Sequence, residues 1–155
     1  MYKKLALIAL ASSFFIGCAS VPMETPEKSE KAKLFNAPSS GTSGIYIFRK
    51  DTPVGAALKK DVWIDNKCIG ETAKGIFFYS EVEGDKEHAI STESEFSPND
   101  KVVKTNAGEL YFFQQYIKMG AFVGGANLEQ FDAKQGKQEV SKLKLAKQGN
   151  CSSTR

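Results

Sequence analysis

The only histidine in the 155 residues is His88, which stands beside Glu87 with Ser91 and Ser94 close behind. Those are the residue types a hydrolase needs: a base, a carboxylate to orient it and a hydroxyl to activate. No Gly-x-Ser-x-Gly elbow presents either serine, and a histidine at the start of a strand also serves by hydrogen bonding across a turn. The residues therefore assign no catalytic group, and hydrolysis through His88 stands as an alternative. A single histidine without clustered carboxylates or thiolates is a poor ligand set, and there is no Cys-x-x-Cys or His-x-x-x-His pair, so neither a metal nor another cofactor is expected. The run Gly120-Ala121-Phe122-Val123-Gly124-Gly125 lacks the Lys-Ser/Thr of a phosphate loop and the spacing of a dinucleotide fingerprint. It reads as a tight backbone crossing or, more sharply, as an exposed apolar loop from Met119 to Val123 that meets a partner or lipid.

The cysteine with the clearest chemistry is Cys18. Lys3 and Lys4 are followed by the uncharged stretch Leu5 to Ile16 and then Gly17-Cys18, the order of a secretory signal. Twelve residues rise only about 18 Å as a helix, short of the roughly 30 Å of a bilayer core. Phe15-Ile16-Gly17-Cys18 resembles the bacterial lipobox, in which the thiol is acylated and becomes the first residue of the mature chain; Phe15 stands where leucine is usual. The competing reading is an ordinary signal peptide cut near Ala19. A diacylglyceryl group with an added N-acyl chain anchors a protein durably, and Ala19 in the second mature position resembles the pattern of lipoproteins sent to the outer membrane.

Loss of residues 1–17 removes two lysines and no acid, so the formal charge of +3 falls to about +1. A nearly neutral chain without an arginine-rich face steers weakly toward phosphates, and nucleic acid is not expected as a partner.

These groups must be positioned by one domain. Residues 18–43 contain Pro22, Pro26 and Pro38, alternating Glu and Lys, and a Pro-Ser-Ser-Gly-Thr-Ser-Gly run, the composition of a flexible tether reaching roughly 25 to 30 Å. From Gly44 the pattern changes to seven strand-like runs: 45–49, 62–65, 68–71, 76–82, 88–94, 102–105 and 110–118. A mainly β fold is expected over 44–147, an antiparallel sandwich of about seven strands. Asn66-Lys67 fits a two-residue hairpin that would pair Ile64 with Ile69, and Glu83-Gly84-Asp85-Lys86 fits a second hairpin. Residues 134–147 read as a short C-terminal helix, although Leu143-Lys144-Leu145 also permits a strand. Residues 148–155 read as a frayed tail.

Phe77-Phe78-Tyr79 and Tyr111-Phe112-Phe113 put aromatics on both faces of their strands. One face belongs to the sandwich core; the other is covered by the C-terminal helix or by a ligand, such as a glycan stacking on Trp63, Tyr79 or Tyr111. Together with Phe122 these form the candidate ligand or partner surface. Cys68 and Cys151 remain, and an oxidising compartment permits a disulfide; the sequence leaves open whether the polar tail brings Cys151 within reach.

Several blocks are similar to one family. Gly44-Ile45-Tyr46-Ile47-Phe48-Arg49, Val62-Trp63-Ile64-Asp65-Asn66-Lys67, Gly75-Ile76-Phe77-Phe78-Tyr79, His88-Ala89-Ile90-Ser91, Gly108-Glu109-Leu110-Tyr111-Phe112-Phe113 and Met119-Gly120-Ala121-Phe122-Val123-Gly124 occur in order. They resemble the bacterial lipoproteins grouped as domain of unknown function 2846, over about residues 44–147, with Asn66 where that family commonly has Gly. The resemblance implies a small prealbumin-like β-sandwich that binds partners at a bacterial surface, and it implies no activity. The expectation is a nonenzymatic outer-membrane lipoprotein facing the periplasm or cell surface. Membrane is met through acyl chains on Cys18, and the partner is an envelope protein or glycan.

Overall fold

Ile45 and Ile47 point to one side of their strand and Tyr46 and Phe48 to the other, and all four are buried, so both faces must be covered. The computed structural model describes residues 19–94, 99–120 and 124–153. In chain order the elements are α1 (Pro26–Ala32), β1 (Thr42–Arg49), β2 (Lys60–Ile64), β3 (Lys67–Thr72), β4 (Ile76–Glu83), β5 (Glu87–Thr92), β6 (Asn99–Lys104), β7 (Leu110–Lys118), β8 (Gly125–Phe131), α2 (Ala133–Val140) and β9 (Lys144–Leu145). A five-stranded sheet runs β8-β7-β1-β4-β9, and a four-stranded sheet runs β3-β2-β5-β6.

Ile45, Ile47, Phe78 and Phe113 from the larger sheet meet Val62, Ile64, Ile90 and Val103 from the smaller, forming the core between them. Tyr46, Phe48, Phe77 and Phe112 form a second core on the outer face of the larger sheet, closed by Val140, Leu143 and Phe35. Tyr46 lies nearly parallel to Phe112 with centroids 4.9 Å apart. α2 starts at Asp132, whose side chain accepts the Gln135 amide at 2.8 Å, a cap that fixes where the helix begins. The aromatics on alternating faces thus have cover on both sides, with α2 supplying part of it.

Several expectations need correction. The described residues form nine strands rather than seven, and the sandwich is not wholly antiparallel: β1 pairs with β7, and β4 with β9, in parallel. The route from β1 to β7 passes through the other sheet, so the chain can return in the same direction. The C-terminal helix ends at Val140, and Lys144–Leu145 is the strand that the period-two spacing permitted.

The turn at 83–86 is not a hairpin, because it carries the chain from β4 in one sheet to β5 in the other. The β2–β3 turn is Asp65-Asn66, with φ of 51° and 63°, one residue earlier than the spacing suggested. Trp63 then faces Cys68 and Ile64 faces Lys67, and a bulge beside Val62 and Trp63 keeps Ile69 buried despite the slip.

The segment read as a tether is packed from Val21 onward. Val21 rests on the inter-sheet core. The Lys147 amide donates to the Pro22 carbonyl at 2.9 Å and the Glu24 amide to that of Leu145 at 3.0 Å. α1 follows, capped by Thr25; the Ser29 hydroxyl accepts the Leu145 amide at 3.1 Å, and the Tyr46 hydroxyl donates to the Ala32 carbonyl at 2.8 Å. The tail is also held, with the Gly149 amide on Ile69 and the Glu71 amide on Asn150 along the open edge of β3. Main-chain bonding holds both segments despite their few apolar side chains.

Candidate functional site

The β2–β3 turn places Asp65 where its carboxylate meets His88 at the start of β5. Nδ1 of His88 lies 2.6 Å from Oδ2 of Asp65, and Nε2 lies 2.8 Å from the Glu83 carbonyl. A carbonyl only accepts, so Nε2 carries a hydrogen and donates. The second oxygen of Asp65 accepts the Ala89 amide at 2.9 Å. Burial pushes the Asp65 carboxyl up, but the hydrogen bonds from His88 and Ala89 and the nearby positive charges outweigh it and hold it below its ordinary range.

His88 is 3% exposed and both ring nitrogens are engaged, so neither is free to take a proton from a nucleophile. Ser91 lies on the opposite face of β5, since neighbours alternate sides. What the pair does is clamp the hairpin of the smaller sheet to the crossing from the larger one.

A second polar cluster lies inside the sandwich. Thr72, Thr92 and Gln115 occupy inward positions of β3, β5 and β7 and are fully buried. Gln115 donates to the Thr92 hydroxyl at 2.6 Å, and Thr92 in turn donates to the Asp61 carbonyl at 2.9 Å; the one Thr72 hydroxyl hydrogen is shared between Gln115 Oε1 and the Lys60 carbonyl, the latter at 3.0 Å. Beside them the buried Arg49 guanidinium donates to the carbonyls of Leu58 and Gly55, and burial pushes its pKa down. These satisfied groups order the 50–59 loop and join the sheets. Sequence reasoning missed them, although polar residues at inward positions of apolar strands are a readable signal.

Cys68 and Cys151 are bonded, with Cα atoms 6.0 Å apart. Beyond the bond, the buried Asp61 carboxylate accepts the amides of Ser152 and Ser153 at 2.9 Å and both of their hydroxyls. Residues 148–153 therefore form a strap across the smaller sheet, not a frayed end.

The residues proposed as a ligand surface fall in different places. Trp63 is 3% exposed and offers no face to a ligand. Tyr111 is half-buried, its hydroxyl donating to Glu109 at 2.8 Å and accepting the Asn106 amide at 2.8 Å. Phe122 and Cys18 lie outside the described residues.

Tyr79 alone stands in a groove, of about 460 Å³, whose lining includes Tyr46, Glu81, Lys28, Lys31 and Asn36. The Tyr79 and Tyr46 rings are 4.7 Å apart, and the Tyr79 hydroxyl donates to Glu81 at 3.0 Å. Hydrogen bonding from Ser39 is foremost in holding the Glu81 carboxyl below its ordinary range, with Tyr79 and Thr42 adding to it against burial. The groove thus joins the half-buried Tyr79 ring, backed by the buried Tyr46, to an ionised acceptor and a lysine rim.

The family model described as Protein of unknown function (DUF2846) matches residues 39–126, from just before β1 to the opening of β8. The chain belongs to that family. A Haemophilus influenzae protein described only as uncharacterized is 49% identical over 146 residues, covering 94% of this chain and 85% of its own. No solved structure matches. The matched stretch holds Asp65, His88, Tyr79 and Cys68, whereas Cys18 and the strap from Gln148 lie beyond it. Among the described residues, no three His, Cys, Asp or Glu side chains converge as a metal site, and no helix is long and apolar enough to cross a membrane.

Proposed function

We propose that the protein is an outer-membrane lipoprotein, anchored by acyl chains on Cys18, whose two-sheet domain acts as a nonenzymatic binding or structural module in the cell envelope. The observation that carries this reading is the charged, apolar and small-residue order that ends at Gly17-Cys18, with the fold beginning at Val21. The Cys68–Cys151 bond favours an oxidising compartment such as the periplasm. The engagement of both His88 nitrogens supports a structural role for that residue over a hydrolytic one. The two packed sheets fit the prealbumin-like modules that the family resemblance implies.

Anchoring raises the effective concentration of a module near its partner, so a weak interface suffices. The Tyr79 groove supports glycan as the second class of partner, because the half-buried Tyr79 ring beside Glu81 and Asn36 offers stacking and hydrogen bonding together. The test is in-cell crosslinking followed by affinity purification, with Cys18→Ser as the mislocalised control. An envelope component recovered in stoichiometric amount only with Cys18 intact supports the reading. Equal recovery from the Cys18→Ser protein contradicts it.

A further inference from the structure

The packing of the N-terminal segment fixes where an anchor would hold the domain. Val21 is seated on the core and Pro22 is bonded to Lys147, so only Ala19 and Ser20 separate Cys18 from fixed structure. Three peptide steps span at most about 11 Å, far less than the reach of a free 25-residue tether. A domain attached so closely cannot hang away from the membrane, and the face beside Ala19 must lie against it.

That face has the chemistry of a membrane contact. Ala19 and Ser20 share a groove of about 310 Å³ with Lys74, Lys142 and Lys144. The strand registers bring more to the same end of the molecule: Arg49 of β1 pairs with Ile76, which pairs with Lys144, and β7 runs parallel to β1 so that it also ends there at Lys118. Just past these strand ends are Val54, 61% exposed, and Met119, 92% exposed. Lys74 also meets Asp51 at 3.4 Å and Lys142 meets Glu139 at 3.1 Å, while Lys118 and Lys144 are exposed. The turns at the opposite end carry Asp65, Glu83, Asp85, Glu87 and Glu109 against Lys67, Lys86 and Lys104. The domain therefore presents a lysine-rimmed end with apolar tips at the anchor, and away from it an end on which acids outnumber lysines.

We infer that the mature protein docks directly on the bilayer through this end, with Lys74, Lys118, Lys142 and Lys144 against the phosphates of anionic phospholipid headgroups and Met119 and Val54 entering the interface. The inference rests on acylation of Cys18. Lysines held this close to a charged surface lie within about one Debye length, roughly 8 Å at physiological salt, where attraction to anionic lipid is not screened away.

The test uses the mature acylated protein, in which Cys18 is blocked and Cys68 and Cys151 are bonded, so an added cysteine is the one thiol free to take a fluorophore. Met119→Cys and Asp85→Cys are labelled separately and placed in vesicles of phosphatidylethanolamine with phosphatidylglycerol containing spin-labelled lipid. The label at 119 is expected to be quenched several-fold more strongly than the label at 85. Combining Met119→Cys with Lys142→Glu and Lys144→Glu is expected to abolish the difference while the protein still floats with the vesicles. Equal quenching at both positions in protein shown to carry the acyl group overturns the docked orientation and leaves the anchor standing. Absence of the acyl group on Cys18 overturns the anchor, and the orientation falls with it.

Discussion

Asp61 and Ser152 are 91 residues apart in sequence, yet one oxygen of the Asp61 carboxylate accepts both the amide and the hydroxyl of Ser152 at 2.9 Å. Asp61 is fully buried, so these bonds replace water that the carboxylate would otherwise hold. Asp61→Ala removes the acceptor for the amides and hydroxyls of Ser152 and Ser153 together. The expected result is a loss of about 1–3 kcal/mol and faster amide hydrogen exchange over 149–153, measured on the oxidised protein.

The disulfide holds the same strap by a different means. Joining residues 83 apart restricts the unfolded chain, which the chain-entropy account values at about 4.5 kcal/mol. The double substitution Cys68→Ser, Cys151→Ser should lower denaturant stability by an amount near that figure. The strap bonds from Gly149 and Asn150 to β3 should then exchange faster than the β1–β4 ladder.

Gly136 discriminates between local preference and packing. Alanine is the better helix former by about 1 kcal/mol, which alone predicts stabilisation. A Cβ at this position would sit 2.2 Å from Cγ of Phe112, in the second core, where α2 lies directly on the sheet. Overpacking of this kind costs about 1–3 kcal/mol, so Gly136→Ala should lower the melting temperature.

The Asp65–His88 clamp predicts an acid sensitivity of definite sign. The Asp65 carboxyl is held below its ordinary value of 3.8 in the folded protein, so the unfolded chain binds the proton more readily. Its contribution is present above that value and is lost as pH falls through and below it. Asp65→Asn should flatten the stability profile in that acid window and leave the profile above it little changed in shape, as followed by urea denaturation across pH.

Seven strands were legible because Ile, Val, Phe and Tyr alternate along them, and a turn at Asn66 was legible because Asn tolerates left-handed backbone, although its other central residue is Asp65 and not Lys67. β8 was not, since Gly-Ala-Asn-Leu-Glu-Gln-Phe carries little apolar signal and buries Gly125, Ala126 and Leu128 by fitting closely beside β7. Residues 21–37 and 148–153 were misread for one shared reason. Few of their side chains are apolar, with Val21 and Phe35 reaching the cores, and their backbones bond to β9 and β3; long-range main-chain pairing leaves no trace in hydropathy. The assignment of β4 and β5 to different sheets was equally hidden, because a four-residue turn between two strands has the same local pattern whether or not they pair. Of the candidate surface, the partial exposure of Tyr79 and the burial of Trp63 depended on partners distant in sequence.

Labelled palmitate tests most directly the proposed anchoring of the protein as an envelope lipoprotein. Cells expressing the full chain or its Cys18→Ser variant are fed the label, and their membranes are separated by density. Label recovered with the wild-type chain in the outer-membrane fraction, and absent from the variant, is the predicted result. An unlabelled wild-type chain distributed as the Cys18→Ser variant is would contradict it.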